Sequence, residues 1–194
     1  YESGDAIRHV YFPTSGFVSL LTPDGRNYSL EVGLVGSEGI VGSTLALGIG
    51  SSPLRALVQG EGSALRMSVG RFGKALNDGS GLRRVVDAYL YVQLAQIAQT
   101  AACGRFHGLD ARLARWILLT QDRARGSRFR LTHELLAQML GVRRAGVTIA
   151  AGLLQKKHLI QYRRGVIDVL NRSGLEAAAC ACYPRLNEIY ADHL

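Results

Sequence analysis

The sequence predicts an α+β fold: a strand-rich N-terminal segment, one long helix, then a helical segment that closes on a β-hairpin. Three observations carry this. Short apolar runs between turn residues fill the chain up to about residue 76. From Gly81, apolar residues recur at three- and four-residue spacing over about five turns. Basic charge is concentrated beyond residue 108, as in a polyanion-binding module attached to a neutral one.

The charge split is sharp. Residues 1–108 carry nine Lys and Arg against eight Asp and Glu, while residues 109–194 carry fourteen against seven. Between Arg112 and Arg164 the tally is twelve basic to two acidic residues. With 194 residues, 47% hydrophobic and 20% charged, the chain is globular rather than disordered and long enough to bury real cores. Three cysteines, an odd number, argue against a disulfide framework and fit a reducing compartment. No run of 18 apolar residues exists, so no transmembrane helix and no membrane partner are expected. Tyr1-Glu2-Ser3-Gly4-Asp5 is not a secretory signal, and a cytoplasmic location is expected. The chain starts without Met inside a strand pattern, so residues before Tyr1 are expected to be missing.

Val10-Tyr11-Phe12, Phe17–Leu21, Tyr28–Val32, Leu54–Val58 and Ala64–Met67 read as strands. Pro23-Asp24-Gly25 reads as a turn, because proline presets φ and glycine supplies φ > 0. Evenly spaced short strands form a sandwich or a barrel. Gly33–Gly50 stands out with six glycines, a density that lets backbone turn tightly or approach a ligand.

Leu82, Val86, Leu90, Leu94, Ile97 and Ala101 form the apolar stripe of the long helix. Gly79-Ser80-Gly81 precedes it, and Gly104 and Gly108 are expected to end or interrupt it. A long helix with a narrow stripe pairs with a second copy of itself, so a homodimer is expected. Packing on its own β segment is the alternative. Leu109–Arg123 is a second helix through Leu113, Trp116, Ile117 and Leu119, and Arg123–Arg130 a loop with four arginines. Thr132 is placed to cap a helix buried through Leu135, Leu136, Met139 and Leu140, and Gly141 to end it in the left-handed conformation. Arg143–Lys156 is the next helix, with Val147, Ala150, Ala151 and Leu154 inward. Leu159–Tyr162, Arg163-Arg164-Gly165 and Val166–Leu170 give strand, tight turn, strand. Helix, glycine turn, helix and hairpin is the order of a winged helix-turn-helix. Ser173–His193 reads as one last helix, capped by Ser173 with Glu176 placed for a capping box.

At these residues the chain resembles the Crp/Fnr family of bacterial transcription regulators. Gly4-Asp5 through Tyr11-Phe12-Pro13-Thr14-Ser15-Gly16 is similar to the early strands of the family's β-roll. The glycine-rich segment ending at Pro53-Leu54-Arg55-Ala56 is similar to its phosphate-binding cassette, and Leu131–Leu170 to its helix-turn-helix and wing. The resemblance spans essentially the whole chain. It implies a jelly-roll-like β-roll effector domain over residues 1–80, truncated at its N-terminus. It further implies a dimerisation helix over 81–108 and a DNA-binding winged helix-turn-helix with a C-terminal helix over 109–194. The implied protein is not an enzyme. It is a homodimer on a palindromic double-stranded DNA operator, gated by a ligand in the roll, with RNA polymerase as a further candidate partner.

Departures from the family pattern concern the effector. In the cAMP-binding members a Gly-Glu pair grips the ribose, and an Arg-Ser-Ala meets the cyclic phosphate. The matching positions are Gly42-Ser43 and Arg55-Ala56-Leu57, with Glu38 nearby but out of register. The long-helix positions that offer hydroxyls to the base are Ile97 and Ala98. Burying a cyclic nucleotide here would leave hydroxyl and base edges unpaired, at roughly 1–3 kcal/mol each. Arg55 alone still pairs an anion. Gly42, Ser43, Arg55 and Ala56 are therefore the candidate effector residues for cAMP or another small anion, and tight cAMP binding is not expected. The N-terminal cysteine cluster of the oxygen-sensing branch is not visible. A roll without a ligand would serve as a structural or protein-interaction scaffold.

Arg144 matches the family position that reads a base, where a guanidinium forks onto guanine O6 and N7. Members with cAMP-type specificity follow it with Glu and place a second Arg five residues on. Ala145 and Ile149 stand there instead, implying a different operator. Gly146 and Thr148 are expected to face the groove or the DNA backbone with little bulk, allowing close approach. Thr132, His133, Arg143, Arg163 and Arg164 are expected at phosphates, which set affinity and salt dependence.

Other chemistry is weaker. His133-Glu134-Leu135-Leu136-Ala137 lacks the second histidine of a zinc-protease motif. Gly73-Lys74-Ala75 is no P-loop, since Ser68 and Ala75 replace the required glycine and hydroxyl residue. An enzyme on the roll of the cupin kind would need several histidines, and only His9 is available there. Cys180-Ala181-Cys182 is expected on one helix with its thiols pointing apart, and Cys103 as a small hydrophobe, so no metal site is expected.

Overall fold

Strand alternation builds two small sheets from the N-terminal segment. The computed structural model describes residues 1–23, 29–59, 61–124 and 126–194. Strand β1 (His9–Pro13) pairs antiparallel with β5 (Ala64–Ser68). Strand β2 (Val18–Pro23) lies between β3 (Ser29–Val35) and β4 (Arg55–Val58), with a register shift at Leu20/Leu21. The turn expected at Pro23-Asp24-Gly25 falls outside the described residues. Val10, Leu20, Val35, Ile40, Val41 and Phe72 fill the space between these sheets and the helices.

One detail here departs from expectation. Val69–Asn77 is a helix, α1, not a continuation of the strands. Only Phe72 and Leu76 are buried in it, too few to display a helical period. The glycine-rich segment does turn tightly, as expected: it contains a 3-10 turn, Ser43–Leu47, bounded by Gly42 at φ 92° and Gly48 at φ 76°. Those left-handed caps are what glycine permits.

Helix α2 (Leu82–Phe106) runs straight through Gly104 and ends on His107. It buries Val86, Tyr89, Val92, Gln96 and Cys103 in its own chain. The stripe expected from the sequence therefore splits. Val86 faces the roll, whereas Leu94 is 66% exposed and Ala101 also faces solvent. Gln96 ties α2 to β3, accepting from the Leu34 N–H at 3.2 Å and donating to the Leu34 carbonyl at 3.4 Å.

Helix α3 (Leu109–Ala124) is the axis of the C-terminal part. Leu113, Trp116, Ile117 and Leu118 pack in one continuous core with Phe17, Leu21 and Leu34 of the roll. The loop expected over Arg123–Arg130 is cut back at both ends. Arg123 is buried in α3 and pairs with Glu38 at 2.8 Å, and β6 (Arg128–Arg130) joins the hairpin sheet. Helices α4 (His133–Leu140) and α5 (Arg144–Lys156) follow, then strands β7 (Ile160–Arg163) and β8 (Val166–Val169), in sheet order β6-β8-β7.

The last expected helix is two: α6 (Arg172–Ala178) and α7 (Cys182–His193). Asn171, not Ser173, caps α6 by accepting from the Gly174 N–H at 2.9 Å. Glu176 pairs with Arg172 at 2.9 Å instead of closing a capping box. Cys180 consequently lies in the connection and Cys182 opens α7, so their thiols are not held apart on one helix. No helix among the described residues is long and apolar enough to cross a membrane.

Candidate nucleic-acid interface

Local capping sets the helix pair. The Thr132 hydroxyl oxygen accepts the Leu135 N–H at 3.1 Å and starts α4. Gly141, at φ 63°, returns its N–H to the carbonyls of Ala137 and Gln138 and stops it. Arg143, extended at φ −73°, is the N-cap of α5. Val147, Ala150, Ala151 and Leu154 seat α5 in the core. Arg143, Arg144, Ala145, Thr148 and Ile149 stay exposed. The hairpin turn is built on Arg164 at φ 51° and Gly165 at φ 77°. Two successive positive φ values are what a tight two-residue hairpin turn requires, and for Arg164 they are rare.

An open concavity of about 580 Å³ joins the three pieces, lined by Thr132, His133, Glu134, Arg144, Tyr162, Arg164 and Gly165. Arg144 of α5 and Arg164 of the wing thus share one surface at the N-terminus of α4, whose unpaired N–H groups favour anions. Arg143 and Arg163 are exposed outside it. Among the described residues none of these four arginines forms a salt bridge.

Three expected positions take other roles. The His133 ring stacks on Tyr162, with centroids 4.2 Å apart, and its Nδ1 lies 3.0 Å from Thr148 Oγ1. The Thr148 hydroxyl donates to the Arg144 carbonyl at 3.2 Å, so Nδ1–H is left to donate to Thr148. Burial first, and the Arg144 charge second, hold the His133 pKa below its ordinary value. Its Nε2 is buried and has no hydrogen-bond partner among the described residues. The ring braces α4 against α5 and the wing. Thr148 is exposed as expected, but its hydroxyl is committed to this brace. Gly146 does not face outward: a Cβ there would meet Leu109 Cδ2 at 3.0 Å, so it is a packing position against α3. Tyr162, missed in the sequence, completes the brace by donating to the Leu131 carbonyl at 2.9 Å.

The effector residues separate. Ser43 is buried and donates to Gln93 Oε1 of α2 at 2.7 Å. With Gly42 it lines a cavity of about 520 Å³ against Leu90, Leu94 and Ile97. No Lys, Arg, His, Asp or Glu side chain lines that cavity among the described residues. Arg55 is elsewhere, paired with Glu2 at 3.0 Å on the surface. Ala56 lines a second cavity of about 560 Å³ beside Arg8 and His9. The four residues expected to hold one anion therefore do not converge.

A glycine-turned helix pair, an exposed basic second helix and a strand-turn-strand wing, docked on a small β-roll, define a winged helix-turn-helix protein. More narrowly, residues 111–178 match the Crp-like helix-turn-helix domain. Around that domain the chain has the fold of solved Crp/Fnr transcription regulators. A CRP-family transcriptional regulator from Thermus thermophilus is 20% identical, covering 92% of this chain and 91% of that one at a TM-score of 0.76. FixK2 from Bradyrhizobium japonicum is 16% identical over 93% and 92%, also at 0.76. The c-di-GMP-responsive global regulator CLP of Xanthomonas campestris is 18% identical over 87% of each chain at 0.65. No curated protein sequence matches the chain.

Proposed function

We propose that this protein is a non-enzymatic, sequence-specific transcription regulator that binds a palindromic double-stranded DNA operator as a homodimer. The observation that carries this is the exposed row on α5, Arg144, Ala145, Thr148 and Ile149, flanked by Arg143 and by Arg164 of the wing. A helix presenting one fork-shaped donor and small apolar groups suits the major groove. Arg144 reads a guanine, and Ile149, 67% exposed, meets a thymine methyl. Thr132, whose hydroxyl donates to none of the described residues, joins Arg143, Arg163 and Arg164 at phosphates.

Dimerisation rests on the second face of α2. Leu94, Ala98 and Ala101 are exposed while Val86, Tyr89 and Val92 already serve their own chain. An apolar face left over after a helix has packed on its own chain is what a second copy covers. Gating by cAMP is disfavoured, because the cavity beside α2 offers a cyclic phosphate no Lys, Arg or His among the described residues. An uncharged ligand suits those walls better.

The test is fluorescence anisotropy on a palindromic duplex selected from random sequence. Nanomolar binding at two protomers per duplex, unchanged by cAMP, supports the proposal. Binding without sequence preference refutes it, and a large gain with cAMP refutes the effector assignment.

A further inference from the structure

Cys103, His107, Cys180 and Cys182 converge where the end of α2 meets the α6–α7 connection, and all four donor atoms lie within 4.8 Å of one another. The chain geometry explains the meeting. Cys103 and His107 are four residues apart at the last turn of α2, so both point from one face. Cys180 and Cys182 bracket the break before α7. Cys103 Sγ and Cys180 Sγ are 3.4 Å apart, as are Cys182 Sγ and His107 Nδ1. The three cysteines are buried and none is in a disulfide.

These distances fit a particular occupant. Zinc binds thiolate sulfur at about 2.3 Å and imidazole nitrogen at about 2.0–2.1 Å, which places tetrahedral sulfurs about 3.8 Å apart and sulfur and nitrogen about 3.5 Å apart, so the set needs shifts of only a few tenths of an ångström in its two 3.4 Å pairs to close on the ion. An iron–sulfur cluster spreads its cysteines over several irons and needs a wider set. The surroundings suit thiolates as well. The Gln99 amide donates to Cys182 Sγ at 2.9 Å, an outer contact of the kind that orients metal ligands. Arg115 is buried nearby, its Nε and Nη1 have no hydrogen-bond partner among the described residues, and its charge acts on Cys103. Three thiolates, a neutral imidazole and Zn²⁺ sum to one negative charge, which that guanidinium offsets.

We propose that these four residues form a closed Cys₃His zinc site that pins the end of α2 to the C-terminal helices. Binding displaces the three thiol protons and leaves no open coordination position, so the ion is structural. The assignment does not depend on DNA binding.

The experiment uses the full chain, reduced and stripped of metal. Elemental analysis after zinc loading is expected to give about one zinc per chain. Titration with Co²⁺ is expected to give thiolate-to-cobalt absorption in the near ultraviolet and strong red bands of tetrahedral geometry. His107→Ala should change that red envelope, and Gln99→Ala should keep it while weakening the metal 10–100-fold. The cobalt spectrum of the unaltered chain tests the site even where a variant fails to fold. Weak octahedral cobalt bands, or well under one zinc per reduced chain, overturn the proposal. So does a Cys103–Cys180 disulfide whose reduction restores no metal binding, which would make the cluster a thiol redox pair.

Discussion

Replacing Glu31 with glutamine should stabilise the protein at alkaline pH. Glu31 is 6% exposed at the junction of β3 and α3. The Ser19 hydroxyl and the Trp116 indole N–H donate to its two oxygens, each at 2.6 Å. Burial pushes its pKa from 4.5 up to about 7, against those bonds and the fields of Arg115 and Arg123. The folded state therefore holds a proton that the unfolded chain releases near pH 4.5, and stability falls as pH rises from there toward 7. At about 1.4 kcal/mol per pH unit, the loss is about 3 kcal/mol by pH 8. Glutamine is neutral throughout, and its amide can accept from Trp116 while donating to Ser19. Urea unfolding of both proteins between pH 4.5 and 8 should give curves that converge at the acid end. They should separate toward pH 8, by up to about 3 kcal/mol in favour of Glu31→Gln. Parallel pH profiles would refute the reasoning. A variant less stable than the parent at pH 8 would show instead that an ionised Glu31 is needed by Arg115.

Other perturbations separate the parts of the DNA-binding face. Arg144→Ala should relax base preference at one position of each half-site, costing about 1–3 kcal/mol on the preferred sequence in a specificity-selection assay. Arg164→Ala should weaken all duplexes alike and lower the slope of log affinity against log salt by about 0.9. Leu94→Arg should shift the protein to monomer in sedimentation and remove cooperative half-site binding, while leaving the melting temperature of the single chain within a few degrees.

The helix-turn-helix was legible because each boundary is chemical rather than statistical. Thr132 can cap, Gly141 can turn left-handed, and Arg164-Gly165 can make a two-residue hairpin, and each does. Elements without such punctuation were lost. Helix α1 buries only two side chains, and the break between α6 and α7 falls in an alanine-rich stretch with neither Gly nor Pro. Side-chain direction was harder still. A glycine such as Gly146 carries no pattern that tells groove from core, and only the contact with Leu109 decides it. His133 lies in the right place for a phosphate contact, yet its partners Tyr162 and Thr148 come from other elements. The meeting of the cysteines is hidden for the same reason, since Cys103 and Cys180 touch across 77 positions. The one local trace is the four-residue spacing of Cys103 and His107, which by itself marks only a shared helix face.

The core that Trp116 and Ile117 share with Phe17, Leu21 and Leu34 limits how this molecule can carry a signal. Swinging the DNA-binding part away from the roll would bare those side chains at about 1.5–3 kcal/mol each, and would separate Trp116 from Glu31 and Arg123 from Glu38. In the proposed dimer each protomer would therefore move as one stiff lever with its fulcrum on α2. A stimulus that altered operator affinity would have to change the angle between two such levers. The spacing of the two recognition helices would then be set at the seam, and a small rotation there would be magnified by the full length of the protomer at the DNA.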